Sequence, residues 1–429
     1  MSFKLYTAPL GITQNIKLID DEQTVNQTSE ATMEIAVLWP LAQTAQVEEI
    51  DFSHGYCKRT TQTFLKHSHA VDWHEYSDSN FHQQFRKTSK ASLLLLITDP
   101  NLVITDGCLN QLLKSCRSTD RPVIPTYNFS PQPEQQAALD FEYDTVSTFL
   151  ELAISDQLAG ADSGAKHIEH PDNGCILVPA RYIQSLTPSK PDDIFQAIRN
   201  DIRLSENAIV HRFAHYADMP RPELVELVHD KVKSVLDIGC GTGQYGKSLS
   251  QLRPDISIIG IERSAKLAKQ AACFYSEVIN KDIEQIEADF KVDLINCGDI
   301  LEHLRDPWQT LIKLADILSD EGYLTVSIPN ASHWSIVREL VSGKFDYLPA
   351  GLFCIGHIRW FTEHSFSGIL DQCGFTTEKI IRLQPTPSPQ GEALIQSLKE
   401  ISGYDETALR THTLLFRAVK KSLSTNPLP

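Results

Sequence analysis

The sequence predicts an α/β protein built from two domains, and three observations support this fold class. Short apolar runs alternate with helix-compatible segments along most of the chain. One such run, Ser234–Ile238, leads directly into a glycine-rich turn. With 429 residues, the chain is longer than a single domain usually is. Because parallel strands need long crossover connections, usually helices, this alternation is typical of a parallel sheet covered by helices.

The glycine-rich turn follows its strand in the segment SVLDIGCGTGQYG, residues 234–246. Gly239, Gly241 and Gly243 carry no Cβ atom, so the backbone there can adopt positive φ angles and let a ligand approach closely. Asp237 stands just before the turn, where a carboxylate repels a pyrophosphate but attracts an ammonium group or ribose hydroxyls. We therefore expect a ligand-binding loop, with a purely structural turn as the alternative.

A second motif overlaps the same residues. Gly241, Gly243 and Gly246 match the G-x-G-x-x-G fingerprint, in which a dinucleotide phosphate lies over a helix N-terminus. The tighter G-x-G-x-G series that begins at Gly239 fits the end of the strand better, and it follows the acid at position 237. The sequence thus favours S-adenosylmethionine over NAD as the ligand.

Residues 256–262 (ISIIGIE) form a second predicted strand, which ends in Glu262. A carboxylate at the end of this strand can accept hydrogen bonds from both ribose hydroxyls of a nucleoside. After a third predicted strand at 275–280, Asp282 can accept from an adenine amino group while Ile283 packs on the ring. Further strands are predicted at 292–297, 322–329, 374–383 and 411–420, with helices at 264–272 and 308–318.

This series of motifs resembles the class I S-adenosylmethionine-dependent methyltransferases. The matching parts are VLDIGCGTG (235–243), GDILEHLRDPW (298–308), GYLTVSIPN (322–330), Glu262 and Asp282. The resemblance covers the C-terminal half of the chain, from residue 203 to residue 421. It implies a Rossmann-like sheet of seven strands, mostly parallel, with the last strand antiparallel.

The resemblance also implies which residues bind the cofactor. The turn, with Asp237, would hold its methionine part, Glu262 its ribose, and Asp282 with Ile283 its adenine. The full set of candidates is Asp237, Gly239, Cys240, Gly241, Gly243, Glu262, Arg263, Asp282, Ile283 and Asp299.

Residues 213–228, ahead of the first strand of this half, are expected to form a helix. Such a helix can cover the cofactor site, and Tyr216 or Arg221 can then reach the methionine carboxylate. The alternative is an amphipathic helix that only packs against the sheet.

A cluster of acid and imidazole groups is predicted where the methyl acceptor must lie. Asp299, Glu302 and His303 follow the fourth strand, and His357 comes later in GHIRWFTEHSF (356–366). If a helix begins at Asp299, its carboxylate and that of Glu302 share one face at i,i+3. This spacing resembles that of quinone-biosynthesis and small-RNA 2′-O-methyltransferases, which carry an acid-x-x-Glu-His and a later His.

Three roles are open for this cluster. Its four side chains, Asp299, Glu302, His303 and His357, can bind magnesium or manganese, which would bind the acceptor oxygen and lower its pKa. Without a metal, His303 or His357 can serve as the catalytic general base, with Glu302 beside them. The third role is structural, in which the Glu-His pair only shapes the pocket.

An insertion at 330–366, within the segment 329–375, is rich in aromatic side chains. The segment resembles methyltransferases that accompany glycosyltransferases in surface-polysaccharide and glycosylated-metabolite pathways. An insertion of this kind can act as a lid and as an acceptor wall. Because aromatic faces suit sugar rings, quinones and ordinary cores alike, the identity of the acceptor stays open.

The N-terminal half is expected to contain a poorly ordered segment, residues 1–30, and an accessory α/β domain at 31–200. Strands are predicted at 34–40, 92–98, 123–127 and 175–179, and helices at 109–116 and 141–158. The segments TDPN (98–101) and NGCILVPARY (173–182) resemble nucleotide-sugar glycosyltransferases. A D-x-D metal pair is here replaced by Asp99-Pro100-Asn101, which favours a degenerate, binding or dimerising version of such a domain.

Composition argues against several classes of partner. The formal net charge of −16 and the pI of about 5.4 disfavour a general nucleic-acid or anionic-membrane surface. Nine cysteines without a C-x-x-C pair are typical of reduced thiols in the cytoplasm. We expect neither a secretion leader nor a membrane span. His67, His69, His74 and His82 lack cysteine or carboxylate neighbours at zinc spacing, so we expect exposed histidines there.

The sequence therefore predicts a cytoplasmic S-adenosylmethionine-dependent methyltransferase, with its catalytic domain at 201–421 and a tail at 422–429. The expected reaction is O-methylation of a hydroxyl on a sugar, glycoside or small metabolite, with magnesium or manganese as a candidate second cofactor. The alternatives are N- or C-methylation of a natural product, a bifunctional enzyme, or a non-catalytic partner in a glycan pathway. The expected partner is a small-molecule or glycan acceptor, and a homo-oligomer can form through the N-terminal domain.

Overall fold

The structure is a computed structural model that describes residues 35–41, 48–65, 70–128, 130, 132–137, 144–158, 165–213, 221–286 and 289–421. The chain divides into two units, Met1–Ala214 with Asp346–Gly351, and His215–Phe345 with Leu352–Pro429. The expected N-terminal segment 1–30, the tail 422–429, His67, His69 and Tyr216 lie outside the described residues. Among the described helices, none combines the length and the apolar character needed to cross a membrane.

The described part of the first unit contains eight strands and six helices. The strands are β1 (Ile35–Pro40), β2 (Val71–Tyr76), β3 (Leu93–Ile97), β4 (Leu102–Val103), β5 (Val123–Tyr127), β6 (Lys166–His167), β7 (Cys175–Pro179) and β8 (Arg203–Arg212). The helices are α1 (Glu48–Leu65), α2 (Phe81–Lys87), α3 (Asp106–Thr119), α4 (Val146–Leu158), α5 (Ala180–Ser185) and α6 (Pro191–Ile198).

These strands form one mixed sheet in the order β2-β1-β3-β7-β5-β8-β4, with β6 paired to β8. β1 is parallel to β2 and β3, whereas β7 is antiparallel to β3 and β5. β8 is parallel to β5, so residues 203–212 belong to this first sheet and not to the catalytic domain expected at 201–421. The polar Glu206 and Asn207, near a register shift in this pair, interrupt the apolar pattern that marks the other central strands.

Alternate residues of the central strands face opposite sides of the first sheet. Val37 and Leu95 belong to one buried cluster, which also contains side chains of α1 and α3. Leu38 and Leu96 belong to another, which contains side chains of α2 and α6. Because helices cover both faces, β1, β3 and β7 are apolar throughout and β5 nearly so, which made these strands predictable from the sequence.

The described part of the second unit contains seven strands and eight helices. The strands are β9 (Ser234–Ile238), β10 (Ser257–Ile261), β11 (Glu277–Ile279), β12 (Val292–Gly298), β13 (Leu318–Pro329), β14 (Phe375–Leu383) and β15 (Thr413–Lys420). The helices are α7 (Pro222–Val225), α8 (Gln244–Leu252), α9 (Ala265–Ala271), α10 (Pro307–Ile317), α11 (Trp334–Val341), α12 (Glu363–Gln372), α13 (Pro389–Ser397) and α14 (Glu406–Arg410).

The second sheet has the order β11-β10-β9-β12-β13-β15-β14. The strands from β11 to β13 are parallel, and β15 is antiparallel to β13 and β14. This confirms the predicted seven-stranded, mostly parallel sheet with an antiparallel last strand. The chain leaves β9 in one direction toward β10 and returns on its other side as β12. In open sheets of this kind, ligands bind at the carboxyl ends of the strands where the order reverses.

Two local expectations in this unit differ from the structure. Within the described residues of the helix expected at 213–228, only Pro222–Val225 is helical. Pro222 explains this start, because a proline disfavours helical backbone in the residue before it. Asp299 does not begin a helix, since its φ angle of 48° is left-handed, and a single 3₁₀ turn follows at Leu301–His303.

Candidate functional site

The glycine-rich turn leaves the carboxyl end of β9 and leads into α8. Two hydrogen bonds hold its backbone, from Gly239 N and Cys240 N to Ile261 O, at 2.8 and 3.0 Å. Gly239, Gly241 and Gly243 have φ angles of 70°, 54° and 92°, which residues with a Cβ atom rarely adopt. The backbone of the turn thus adopts the positive φ angles that the glycines in the sequence predict.

Glu262, at the carboxyl end of β10, ties this turn to the next helix. Its Oε2 accepts a hydrogen bond from Gly241 N at 3.0 Å, and its Oε1 accepts one from Ser264 N at 2.7 Å. A carboxylate has about four lone-pair positions, so two remain for ribose hydroxyls. The structure therefore places Glu262 beside the turn and gives it a second task, that of holding the turn's backbone.

Asp237, within β9, is buried next to the turn. Its Oδ2 accepts a hydrogen bond from Tyr275 Oη at 2.5 Å, and its Oδ1 accepts one from Asn296 Nδ2 at 2.7 Å. Thr325 Oγ1 in turn donates to Asn296 Oδ1 at 2.9 Å. Burial raises the pKa of Asp237 to about 6, and the neighbouring charge of Glu262 adds to the rise. This carboxylate is therefore held in place, and its donors among the described residues are the neutral Tyr275 and Asn296.

Tyr275 and Asn296 lie 38 and 59 residues further along the chain, and no sequence motif pointed to either. One signal for Asn296 was available. It is a polar residue inside the apolar run at 292–297, and a buried amide needs a hydrogen-bonding partner. Tyr275 stands in the connection before β11, where no pattern separates it from an ordinary core residue.

The other candidates for cofactor contact lie along the same edge of the sheet. Asp282 accepts a hydrogen bond from Glu284 N at 3.0 Å and caps a short 3₁₀ turn. Ile283 and Cys240 are buried, and burial raises the pKa of the Cys240 thiol. Arg263 comes directly after the carboxylate at position 262. Each of these candidates thus stands in the turn or shortly after the carboxyl end of β10 or β11.

Asp299 follows β12 and is held by β13. Ser327 Oγ donates to Asp299 Oδ1 at 2.8 Å, and Asp299 N donates to Ser327 Oγ at 3.0 Å. The other carboxylate oxygen forms an ion pair with Arg221. Because the left-handed backbone at Asp299 does not continue into a helix, Asp299 and Glu302 do not share a helix face as expected.

Three of the four groups expected at the acceptor site do come together. Glu302, His303 and His357 each offer one ligand atom, and these atoms all lie within 4.8 Å of one another. The two imidazole centroids are 5.0 Å apart, with the rings at 76°. Ile358 N and Arg359 N donate to Glu302 O at 2.9 and 3.0 Å, which joins the insertion to the 3₁₀ turn. In the part of the chain that the structure describes, no other group of three such side chains meets this criterion.

The Glu302 carboxylate is fully buried, and no other described residue donates a hydrogen bond to its oxygens. Burial raises its pKa to about 8. Burial also lowers the pKa of His357 to about 3, and the charge of His303 contributes in the same direction. His357 Nδ1 lies 2.9 Å from Leu352 O. With Nδ1 donating to that carbonyl, Nε2 carries the lone pair that a cation or a proton can take.

Aromatic residues of the insertion stand next to this cluster. The ring centroid of His357 is 6.0 Å from that of Trp360, which is 5.6 Å from Phe353 and 5.4 Å from Phe345. Phe345 and Ile358 are exposed, at 44% and 46%. An apolar wall beside a buried polar cluster suits an acceptor that presents both a hydroxyl group and an apolar face.

The arrangement supports two kinds of chemistry. One carboxylate and two imidazoles are a suitable donor set for a divalent cation. A neutral imidazole is also a base that can take a proton from a hydroxyl group. Either would act at the carboxyl end of β12, beside the strand that ends in the glycine turn.

Comparison with known proteins bears on the second unit. Residues 210–380 match a family model described as a methyltransferase domain. The trans-aconitate 2-methyltransferase of Deinococcus radiodurans is 25% identical over 203 residues, which cover 44% of this chain and 77% of that protein. The mitochondrial ubiquinone biosynthesis O-methyltransferase of Candida albicans is 26% identical over 192 residues, which cover 39% of this chain and 58% of that protein.

One similar solved structure is the N-methyltransferase NodS from Bradyrhizobium japonicum WM9 in complex with S-adenosyl-L-homocysteine. It is 16% identical, with a TM-score of 0.33, and the match covers 47% of this chain and 85% of that one. The family match and the observed strand order show that the second unit is a class I S-adenosylmethionine-dependent methyltransferase domain. The chain therefore carries a methyltransferase domain.

Proposed function

We propose that this chain transfers the methyl group of S-adenosylmethionine to a hydroxyl of a sugar, a glycoside or a small metabolite. The observation that carries the proposal is the cluster of Glu302, His303 and His357 after β12. A hydroxyl must lose its proton as it is methylated, and imidazole groups at the acceptor position provide a route for that proton. The name of one relative, an O-methyltransferase, agrees with oxygen as the acceptor atom.

In this proposal the turn and its neighbours bind the cofactor. The charge of Asp237 attracts the methionine ammonium group, Glu262 accepts from the ribose, and Asp282 with Ile283 surrounds the adenine. Methyl transfer is an in-line displacement at a sulfonium. The protein's task is therefore to align the acceptor oxygen with the methyl group and to exclude water.

We further propose that the cluster holds a magnesium or manganese ion. The fit rests on the buried Glu302 carboxylate, which no other described residue contacts through a hydrogen bond, and on two imidazoles beside it. A buried carboxylate without a partner is unfavourable, and a cation would stabilise its ionised form. When bound, the ion would coordinate the acceptor oxygen and lower its pKa. Asp299 pairs with Arg221 and stands outside the group of three.

Without a metal, the general base would be His303. The pKa of His357 is about 3, so this ring holds a proton too weakly to take one from a hydroxyl at neutral pH. His303 is only partly buried and can pass a proton on to solvent. In this version Glu302 stays protonated near neutral pH, because its pKa is about 8.

Isotopically labelled S-adenosylmethionine, supplied with the purified protein to a cell extract, tests the function. Labelled products found by mass spectrometry identify the acceptor. Replacing both His303 and His357 by alanine should slow the chemical step by about 10²-fold or more, with unchanged cofactor affinity. The matched control is His364→Ala, which removes an exposed histidine of α12 and should leave the rate unchanged. An equal rate for the double variant and the control would contradict the proposal.

Chelation separates the two versions of the mechanism. If a metal acts, a chelator should abolish turnover, manganese should restore it, and Glu302→Gln should lose manganese binding in calorimetry. If His303 acts alone, the chelator should have no effect. The rate should then fall as the pH drops below neutrality, because a protonated imidazole cannot accept the proton of the hydroxyl.

For the first unit we propose a binding or dimerising role in place of sugar transfer. Asp99, which stands in the segment that resembles glycosyltransferases, accepts a hydrogen bond from Arg212 Nε at 2.7 Å. Arg212 Nη1 and Nη2 also donate to the two oxygens of Asp172, at 2.7 and 3.0 Å. One arginine thus already bonds both acids. Titration of the manganese-saturated full chain with a nucleotide sugar should show no binding, whereas saturable binding of the nucleotide sugar would support the bifunctional alternative.

A further inference from the structure

One tyrosine ring fills the space beside three glycines at the cofactor turn. A Cβ atom on Gly246 would lie 2.4 Å from Tyr275 Cζ. Cβ atoms on Gly243 and Gly260 would lie 3.1 and 3.2 Å from carbons of the same ring. Gly246 lies in α8, Gly243 is the N-cap of that helix, and Gly260 lies in β10. Gly246, the third glycine of the dinucleotide-like fingerprint, therefore makes room for a side chain and not for a phosphate.

The hydroxyl of this tyrosine joins two parts of the cofactor site. Tyr275 Oη donates to Asp237 Oδ2 at 2.5 Å and accepts from Gly246 N at 3.1 Å. Gly246 lies in the first turn of α8, where backbone N–H groups have no partner within the helix. One hydroxyl thereby connects β9 to the start of α8, on either side of the glycine turn.

We propose that Tyr275 is a positioning residue for S-adenosylmethionine, which holds the Asp237 carboxylate and the first turn of α8 so that the glycine turn is preformed. The inference rests on the cofactor site of the proposed function. Tyr275 acts through other residues, since its ring is buried and its oxygen is bonded on both sides. A preformed turn binds more tightly because less conformational freedom is lost on binding.

Tyr245 provides a matched control from α8. It is a buried tyrosine that also faces the charge of Asp237. Its hydroxyl has no hydrogen-bond partner among the residues that the structure describes. Tyr245→Phe therefore deletes an oxygen from similar surroundings without breaking a hydrogen bond, whereas Tyr275→Phe breaks two.

Calorimetric titration of the full chain with S-adenosylmethionine at neutral pH tests the inference. Tyr275→Phe should bind the cofactor about tenfold more weakly, and Tyr245→Phe should match the wild type. Wild-type affinity in Tyr275→Phe, or an equal loss in Tyr245→Phe, would overturn the inference and leave the proposed function standing. A wild-type chain that binds no cofactor would overturn both.

A pH profile separates positioning from a merely structural role. The other titratable groups that face Asp237 are Glu262, Cys240, Tyr245 and Cys297. Burial raises the pKa of the two thiols and of the Tyr245 phenol, so these three groups stay neutral between about pH 5 and 8.

The positively charged cofactor favours the ionised form of Asp237, so wild-type affinity should fall as the pH drops through about 6. Tyr275→Phe removes a hydrogen bond that favours this ionised form. The fall in affinity should therefore begin about one pH unit higher in Tyr275→Phe than in the wild type or in Tyr245→Phe. An unchanged midpoint would overturn the positioning role.

Discussion

The two units of this chain surround their buried or partly buried acids differently. In the first unit, Asp99 and Asp172 both accept hydrogen bonds from Arg212, whose side chain is only 10% exposed. In the second unit, no basic side chain among the described residues donates a hydrogen bond to Asp237 or Glu302. One arginine bonds both acids of the first unit, whereas these two acids of the second unit accept no hydrogen bond from a basic side chain of the described residues.

The difference appears in the pKa values of the acids. Burial acts to raise the pKa of Asp172, but the hydrogen bonds and charge of Arg212 outweigh it and hold the pKa below its ordinary value. Asp237 and Glu302 have no such partner, and their pKa values rise to about 6 and about 8. Buried acids without an internal cation mark the place where a cationic ligand is expected. A sulfonium cofactor and a divalent ion are such ligands.

The largest effect is expected from Arg212→Met, which keeps much of the side-chain volume but removes the charge. Asp99 and Asp172, both partly buried, would then lose their cationic partner and keep only neutral donors, namely Asn101 N, Ser130 Oγ and Gly174 N. The free energy of unfolding of the first unit should fall by about 3–5 kcal/mol, as measured by denaturant titration. Cofactor affinity, a property of the second unit, should stay unchanged. A loss below about 1 kcal/mol would show that the arginine is no more important than a surface one.

The next effect is a pH dependence of the second unit. The pKa of Asp237 is about 6 in the folded protein and about 3.9 in an unfolded chain. The folded state therefore binds this proton more tightly. The resulting stabilisation, about 3 kcal/mol, is fully present below about pH 4 and is lost as the pH rises through about 6.

Asp237→Asn isolates this contribution, because the variant cannot titrate at that position. The difference in unfolding free energy between wild type and Asp237→Asn should change steadily between about pH 4 and 6 and then level off. Parallel pH curves for the two proteins would contradict the assignment of a raised pKa to this carboxylate.

A smaller effect is expected at Glu262, an acid whose partners are backbone amides. Glu262→Ala should weaken cofactor binding by about 1–3 kcal/mol, because it removes charge-assisted hydrogen bonds to the ribose and loosens the glycine turn. Glu262→Gln keeps one acceptor oxygen and should lose less. Calorimetry and thermal unfolding of both variants check this. Intact affinity with a large loss of stability would make Glu262 a purely structural residue.

The smallest effect is expected from Arg382→Met, which removes the same chemical group from the surface. Arg382 Nε and Nη2 donate to the two oxygens of Glu363 at 2.6 and 2.5 Å, and both side chains are about one-third exposed. Solvent screens such a pair, so the unfolding free energy should change by about 0.5 kcal/mol or less. If the unfolding free energy fell as much as in Arg212→Met, burial would not explain the different contributions of the two arginines to stability.

Strands that are buried on both faces were predictable because most residues in them are apolar. The predicted strands at 123–127 and 175–179 agree with β5 and β7 at both ends. β2 was missed, since it lies at the edge of its sheet and carries Asp72, His74 and Glu75. Such an edge strand is held by one neighbour's backbone, so its side chains need not show an apolar run.

The candidate site, like the strands, was predicted from the sequence only in part. The convergence of His303 and His357 was expected because both segments follow the carboxyl ends of neighbouring strands. The position of Asp299 was not, because its left-handed backbone depends on hydrogen bonds with Ser327 from another strand. A helical spacing rule cannot anticipate a turn that a distant residue imposes.

By itself the sequence determined the α/β class and the cofactor turn, because strand, acid and glycines are all contained in residues 234–246 and act through local backbone geometry. Only the tertiary structure decided which partner each buried acid has. Asp237 meets Tyr275 across 38 residues and Asn296 across 59, and Asp99 meets Arg212 across 113. Such pairs depend on strand order and on the space that a missing Cβ atom leaves, as at Gly246, and no spacing along the chain encodes either.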